Sequence, residues 1–153
     1  MADILVPLNG HVRIRAWEKQ PDGTEKEVYD KTIKNLIVDA GKVSILKIIS
    51  NISGGGYANS VGVGDSTTAA ASGQTDLQAS SNKYWKDIAT ADRIILSTTL
   101  YLSVDFGYTE GNFTWNELGL RDQNNVMYAR QIDGTPFVKT SSKRAIVEWQ
   151  LSL

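Results

Sequence analysis

The single histidine, His11, stands at the start of an alternating segment beside Arg13, so a histidine-built metal cluster or a Ser-His-Asp relay lacks the side chains it needs. His11 reads as a surface residue. Asp105, Glu110 and Glu117 could on paper supply the two carboxyl groups that flank the bond in a glycoside hydrolase. Asp105 and Glu110 fall at a strand end and in a loop, where carboxylates are ordinarily solvated. Glu117 follows Trp115 on what would be the same strand face and lies among apolar neighbours, the setting of a partly buried acid paired with a base such as Arg130. Gly62-Val63-Gly64 lacks the third glycine of a dinucleotide loop, since Thr67 stands there, and no helix pattern follows. These glycines are expected to let a strand bend or let another backbone approach closely. Gly41-Lys42 lacks the first glycine of a phosphate loop, with Leu36 in its place, and the nucleophile elbow of serine hydrolases is missing. The chain is therefore read as no enzyme, with no metal and no cofactor.

Those residues must be placed by a chain of 153 residues, the usual size of one domain, in which 41% of residues are hydrophobic and 22% charged. Sixteen basic residues against seventeen acidic ones leave a formal charge of -1, so no broad positive field is available to hold nucleic acid. There is no cysteine, hence no disulfide or thiolate zinc site, and stability must come from packing. Met1 to Leu8 has no basic leader pattern, and no apolar run reaches the length of a membrane span. Neither nucleic acid nor membrane is an expected partner.

The period-two pattern Val12, Ile14, Ala16 against Arg13, Arg15, Trp17 predicts a first strand, and Gln20-Pro21-Asp22-Gly23-Thr24 predicts the turn into a second over Glu27 to Ile33. One helix is predicted over about 39–51, with Asp39 as N-cap and Val43, Leu46, Ile49, Ile45, Ile48 and Ile52 on one stripe that packing on a sheet would have to hold. Val61 to Gly64 reads as a short strand, Asp65 to Ser81 as a long polar surface loop, and Lys83 to Ile88 as a further strand. Arg93 to Asp105 is predicted as one long strand with Ile94, Leu96, Thr98, Leu100, Leu102 and Val104 on one face. Phe113 to Leu120, Val126 to Ile132 and Lys143 to Leu153 complete the set, with Asn124-Asn125 turning between the first two. At least six strands and one helix point to a mainly β fold, an antiparallel β-sandwich or open barrel, with a single β-rich domain over 10–153 behind an N-terminal arm over 1–9.

Two segments are expected to order against neighbours. One is the arm, because Ile4, Leu5, Val6 and Leu8 are wasteful in free solvent; the other is the polar loop with Asp65, Thr67, Thr68, Thr75 and Leu77, followed by Trp85. Trp17, Trp85, Tyr57, Tyr84 and Tyr108 could alternatively form a sugar-stacking platform for a host glycan, although aromatics in small β proteins more often serve core or interface.

The order of short motifs resembles a group of small structural and fibre-attachment proteins of tailed bacteriophages. It runs through Asn35-Leu36-Ile37-Val38-Asp39-Ala40-Gly41-Lys42, then Val61-Gly62-Val63-Gly64-Asp65, Thr75-Asp76-Leu77, Trp115-Asn116-Glu117-Leu118-Gly119-Leu120, Met127-Tyr128-Ala129-Arg130 and Lys139-Thr140-Ser141-Ser142. The resemblance spans nearly the whole chain from Gly10. It departs between Leu77 and Lys83, where relatives often carry a glutamate-arginine pair that is missing here. It implies a virion component of head decoration, tail, fibre or baseplate, made in the bacterial host cytoplasm and assembled in several copies with itself and other virion proteins. It implies no catalytic residues.

Overall fold

The computed structural model describes residues 8–153. The alternating segments become strands: β1 (Asn9–Lys19), β2 (Glu25–Lys34), β3 (Leu36–Ile37), then helix α1 (Asp39–Ile49), and β4 (Ala58–Gly64), β5 (Lys83–Asp87), β6 (Arg93–Leu96), β7 (Thr99–Phe106), β8 (Thr114–Asp122), β9 (Met127–Val138) and β10 (Lys143–Ser152). They form two antiparallel five-stranded sheets, ordered β2-β1-β10-β7-β6 and β3-β9-β8-β4-β5. The expected mainly β sandwich with one helix is the fold.

The first sheet buries one face only. Val12, Ile14 and Ala16 of β1, Leu102, Val104 and Phe106 of β7, and Ala145, Val147 and Trp149 of β10 turn inward and are almost fully buried, while charged residues alternate with them. The second sheet is covered on both faces, so β4 and β8 read as nearly continuous burial. Between the sheets Trp115 meets Phe106 and Phe137 edge-on, with ring centres 5.1 and 5.2 Å apart. Each large side chain buried there contributes about 1.5–3 kcal/mol.

Turn chemistry follows the sequence closely. Gly23 takes a left-handed φ of 84° between β1 and β2, and Asn125, at φ 62°, closes the β8–β9 turn, where the Asp122 carboxylate accepts from the Asn124 and Val126 amides.

Three expectations are corrected. Asp39 is the first helical residue rather than the cap; Val38 holds that position without a side-chain bond, and the entry is tied instead by main chain, Val38 N–H to Tyr128 O and Asp39 N–H to Ser72 O. The helix stops at Ile49, two residues early, where Asn51 turns left-handed at φ 53°. The long strand over 93–105 is two strands, β6 and β7, folded back at Ser97, whose φ is 54°. Leu102 and Val104 keep the inward face, but Ile94 and Leu96 are exposed and the intervening Ile95 pairs with Leu100. An uninterrupted apolar alternation has no marker for a hairpin when the turning residue is a serine.

Candidate functional site

A charged clamp lies under the loop over 65–81. On the second sheet Gly62 pairs with Gly119 and Gly64 with Glu117, while Gly119 also pairs with Arg130. The glycines leave a trough on the outer face of the sheet. A β-carbon at Gly64 would run into the Glu117 carboxylate, one at Gly62 would lie 2.6 Å from the Trp85 ring, and one at Gly119 would lie 2.9 Å from Leu77. Close approach is therefore the reason for Gly62 and Gly64, and what approaches is side chain.

Within the trough Arg130 and Glu117, both with 0% side-chain exposure, form the ion pair expected of them: Nη2 is 2.7 Å and Nε 2.8 Å from Glu117 Oε2. The remaining valences go to the loop. Arg130 donates to Gln74 Oε1 at 2.9 Å and Thr68 O at 2.8 Å; Glu117 accepts from the Gln78 and Ala79 amides at 2.9 and 2.7 Å. Every group in this network faces another group of the chain, which fits a clamp and leaves no free acid or base for chemistry. Trp115 does not share a face with Glu117 as two-residue spacing suggests, because the register against β9 shifts between them, from Phe137 to Ile132.

The polar loop is thereby tied to its own chain. Leu77, expected at an interface, is buried at 3% exposure against Val38 and Met127, and Ala79 follows at 5%. Asp65 is half-buried and its carbonyl accepts from Asn116; Thr67, Thr68 and Thr75 are exposed. Trp85 is half-buried over the glycines, with the Arg121 guanidinium 4.3 Å above its ring. Among the structural residues, Gly41 sets α1 against β9, since a β-carbon there would strike the Tyr128 carbonyl, and Asn35 is buried beside Gly10.

The helix presents the opposite arrangement. Its buried residues are the small Gly41 and Ser44, with Ser44 Oγ donating to Asp122 at 3.0 Å. The stripe expected to pack on a sheet points outward instead: Val43 is 50%, Leu46 61%, Ile48 48% and Ile49 76% exposed. Ile45 alone is partly buried against the core. Beyond the helix, Ile94, Ile95 and Leu96 of the edge strand β6 are 48–73% exposed. Between α1 and the β6–β7 hairpin runs a groove of about 830 Å³, floored by Leu8, Leu100 and Leu151 and walled by Ile45, Ile49 and Ile95. Sequence periodicity had located this stripe and assigned it to the core; the signal for the reverse is the pairing of Gly41 with Ser44, which lets the narrow side of the helix approach the sheet.

The remaining candidates are tied to separate basic partners, with Lys86 bridging the Glu110 carboxylate at 2.5 Å and the Asp105 carbonyl at 2.7 Å. Asp105 contacts Arg144 at 3.3 Å and Glu110 contacts Lys86 at 2.5 Å, whereas Glu117 is sealed with Arg130. His11 is half-buried on β1 between Lys34 and Gln150. Of the five aromatics proposed as a platform, none stacks on another among the described residues; Trp17 is flanked by Arg15 and Arg144 at 4.9 and 4.5 Å, and Tyr57 lies under Arg93. Among the described residues no group of three or more histidine, aspartate or glutamate side chains could hold a metal ion. Missed by sequence reasoning is Lys139, 2% exposed, which donates to Gly107 O at 2.8 Å and Asn112 Oδ1 at 2.9 Å; burial holds its ammonium below the usual lysine value. Its signal was indistinguishable from that of any loop lysine.

Ile4, Leu5 and Val6 lie outside the described residues; Leu8 lines the groove, and Asn9 is already paired with Ser152. Comparison with family models, curated proteins and solved structures found no match.

Proposed function

We propose that this protein is a non-enzymatic structural component of a tailed-bacteriophage particle, exposed on the head, tail, fibres or baseplate, that works through repeated contacts with copies of itself and with other virion proteins. The observation that carries the reading is the apolar face of α1 and β6 that no described residue covers. Leucine and isoleucine side chains standing together at 48–76% exposure across two elements are what an association surface requires and what an isolated globular protein avoids. The motif order adds the particle, and symmetry multiplies a modest contact into a firm one. The buried Glu117–Arg130 pair supports a structural role in the same way, because all of its bonding serves to hold a loop.

The test is to identify the protein in purified particles by mass spectrometry and to locate it by cryo-electron microscopy. We expect several copies at symmetry-related positions with α1 against a neighbour. Particles that lack the protein, or copies whose α1 faces solvent, would sink the reading. A second reading, a host-glycan adhesin, is favoured by one feature: a depression of about 290 Å³ on the first sheet that brings Trp17 together with Arg13, Asp92 and Glu148. Glycan binding abolished by Trp17→Ala would favour it.

A further inference from the structure

The groove and the strand edge beside it have a shape that suits one occupant, and it is found in this chain. The floor of the groove is the end of an inward-facing row across the first sheet, in which Gly10 pairs with Leu151, Leu151 with Leu100, and Leu100 with Ile95. The row stops at β6, whose outer edge has no partner strand among the described residues. An apolar edge of this kind is a template for an added strand: every second residue turns its N–H and C=O outward, and alternate side chains of the newcomer drop into the pockets alongside. The matching segment is Asp3-Ile4-Leu5-Val6, three β-favouring or apolar residues ended by Pro7, which cannot donate and so terminates pairing. Extended, it places Ile4 and Val6 on one side and Leu5 on the other.

We infer that residues 3–6 of a second copy add to β6 as a sixth strand of the first sheet, with Leu5 in the groove beside Ile45, Ile49 and Ile95 and with Ile4 and Val6 on the opposite side, level with Ile94 and Leu96. This rests on the reading that copies of the chain associate, and it names the part each contributes. Chain length selects the second copy over the first. Asn9, Ser152, Thr99 and Leu96 lie level at one end of the sheet, and from β1 to the outer side of β6 there are four interstrand steps, or about 19 Å. At about 3.4 Å per residue that crossing takes about six residues counted back from Asn9, so positions 4–6 of the same chain are spent on it and cannot pair with β6. A neighbour's segment needs no such crossing. Exchange in both directions gives a closed pair, and exchange in one direction gives a ring or a file of subunits.

The test uses the full chain and a form beginning at Leu8. A synthetic peptide of residues 1–7 is titrated into the shortened protein; saturable binding is expected, weakened about 10- to 100-fold by Ile95→Lys in the protein or Leu5→Asp in the peptide. Absence of binding overturns the inference. Because the chain has no cysteine, Leu5→Cys and Leu96→Cys made in separate full chains and joined by a short bismaleimide report this contact alone. A covalent heterodimer is expected on mixing; an internal link in the double variant, with no heterodimer, would show the segment in its own groove and overturn it as well. If the shortened protein still assembles to the full stoichiometry, the exchange fails while association through α1 stands. A full chain that stays monomeric at every concentration removes the association itself.

Discussion

The loop over 65–81 and helix α1 are neighbours, joined where the Asp39 amide donates to Ser72 O, and they solve opposite problems. The loop is polar, with no strand or helix of its own, yet it is held by two fully buried charges and by Leu77. The helix is regular and strongly apolar, yet it touches the body through Gly41, Ser44 and the half-buried Ile45 and turns its other large side chains away. The difference teaches that ordering follows the bonds on offer rather than composition. Main-chain amides and carbonyls at Thr68, Gln78 and Ala79 satisfy a buried acid and base, and the acid and base in turn immobilise the loop. Leu46, Ile48 and Ile49 on α1 find no such partner among the described residues.

The largest effect should come from breaking the clamp. Arg130→Met leaves the Glu117 carboxylate buried beside the Gln78 and Ala79 amides without its cation, and loss of one member of a buried pair costs about 3–5 kcal/mol. Chemical denaturation should show that loss, and limited proteolysis should begin to cut within residues 66–76. A variant as stable as the parent, with an uncut loop, would mean that Leu77 and the glycine trough hold the loop alone.

Next in size are the close approaches. A methyl added at Gly64 presses on the Glu117 carboxylate, and one at Gly41 presses on the Tyr128 carbonyl; overpacking of this kind costs about 1–3 kcal/mol. The two substitutions separate the regions by a second readout. Gly64→Ala should increase loop cleavage and leave association intact, whereas Gly41→Ala should shift α1 and weaken association while the loop stays protected. Both effects appearing together in either variant would show that loop and helix move as one unit.

Much of this was legible in the residues. The alternation in β1 and β10, the Pro-Asp-Gly and Asn-Asn turns, the single helix and the Glu117–Arg130 pair all follow from local pattern, because each depends on neighbours two to fifteen residues away or on a charge placed among apolar residues. The hairpin at Ser97 and the outward turn of α1 do not. The first hides inside an unbroken apolar alternation, and the second depends on which side of the helix is narrow enough to meet Tyr128. A stripe of isoleucines reports that a face will be covered; it cannot report by which molecule.

That last distinction sets the smallest effect on stability and the most telling one on function. Leu46 is 61% exposed and Ile49 76%, so Leu46→Lys or Ile49→Lys removes little contact within the subunit and should change unfolding free energy by no more than about 0.5 kcal/mol. If the helix face is an association surface, the same change places an ammonium in an apolar contact and repeats it in every copy. Sedimentation should then show the assembly reduced to subunits at concentrations where the parent is associated, with thermal unfolding of the subunit nearly unchanged. A loss of several kcal/mol without loss of association would place these side chains in the core of the subunit after all, and the contrast between loop and helix would disappear.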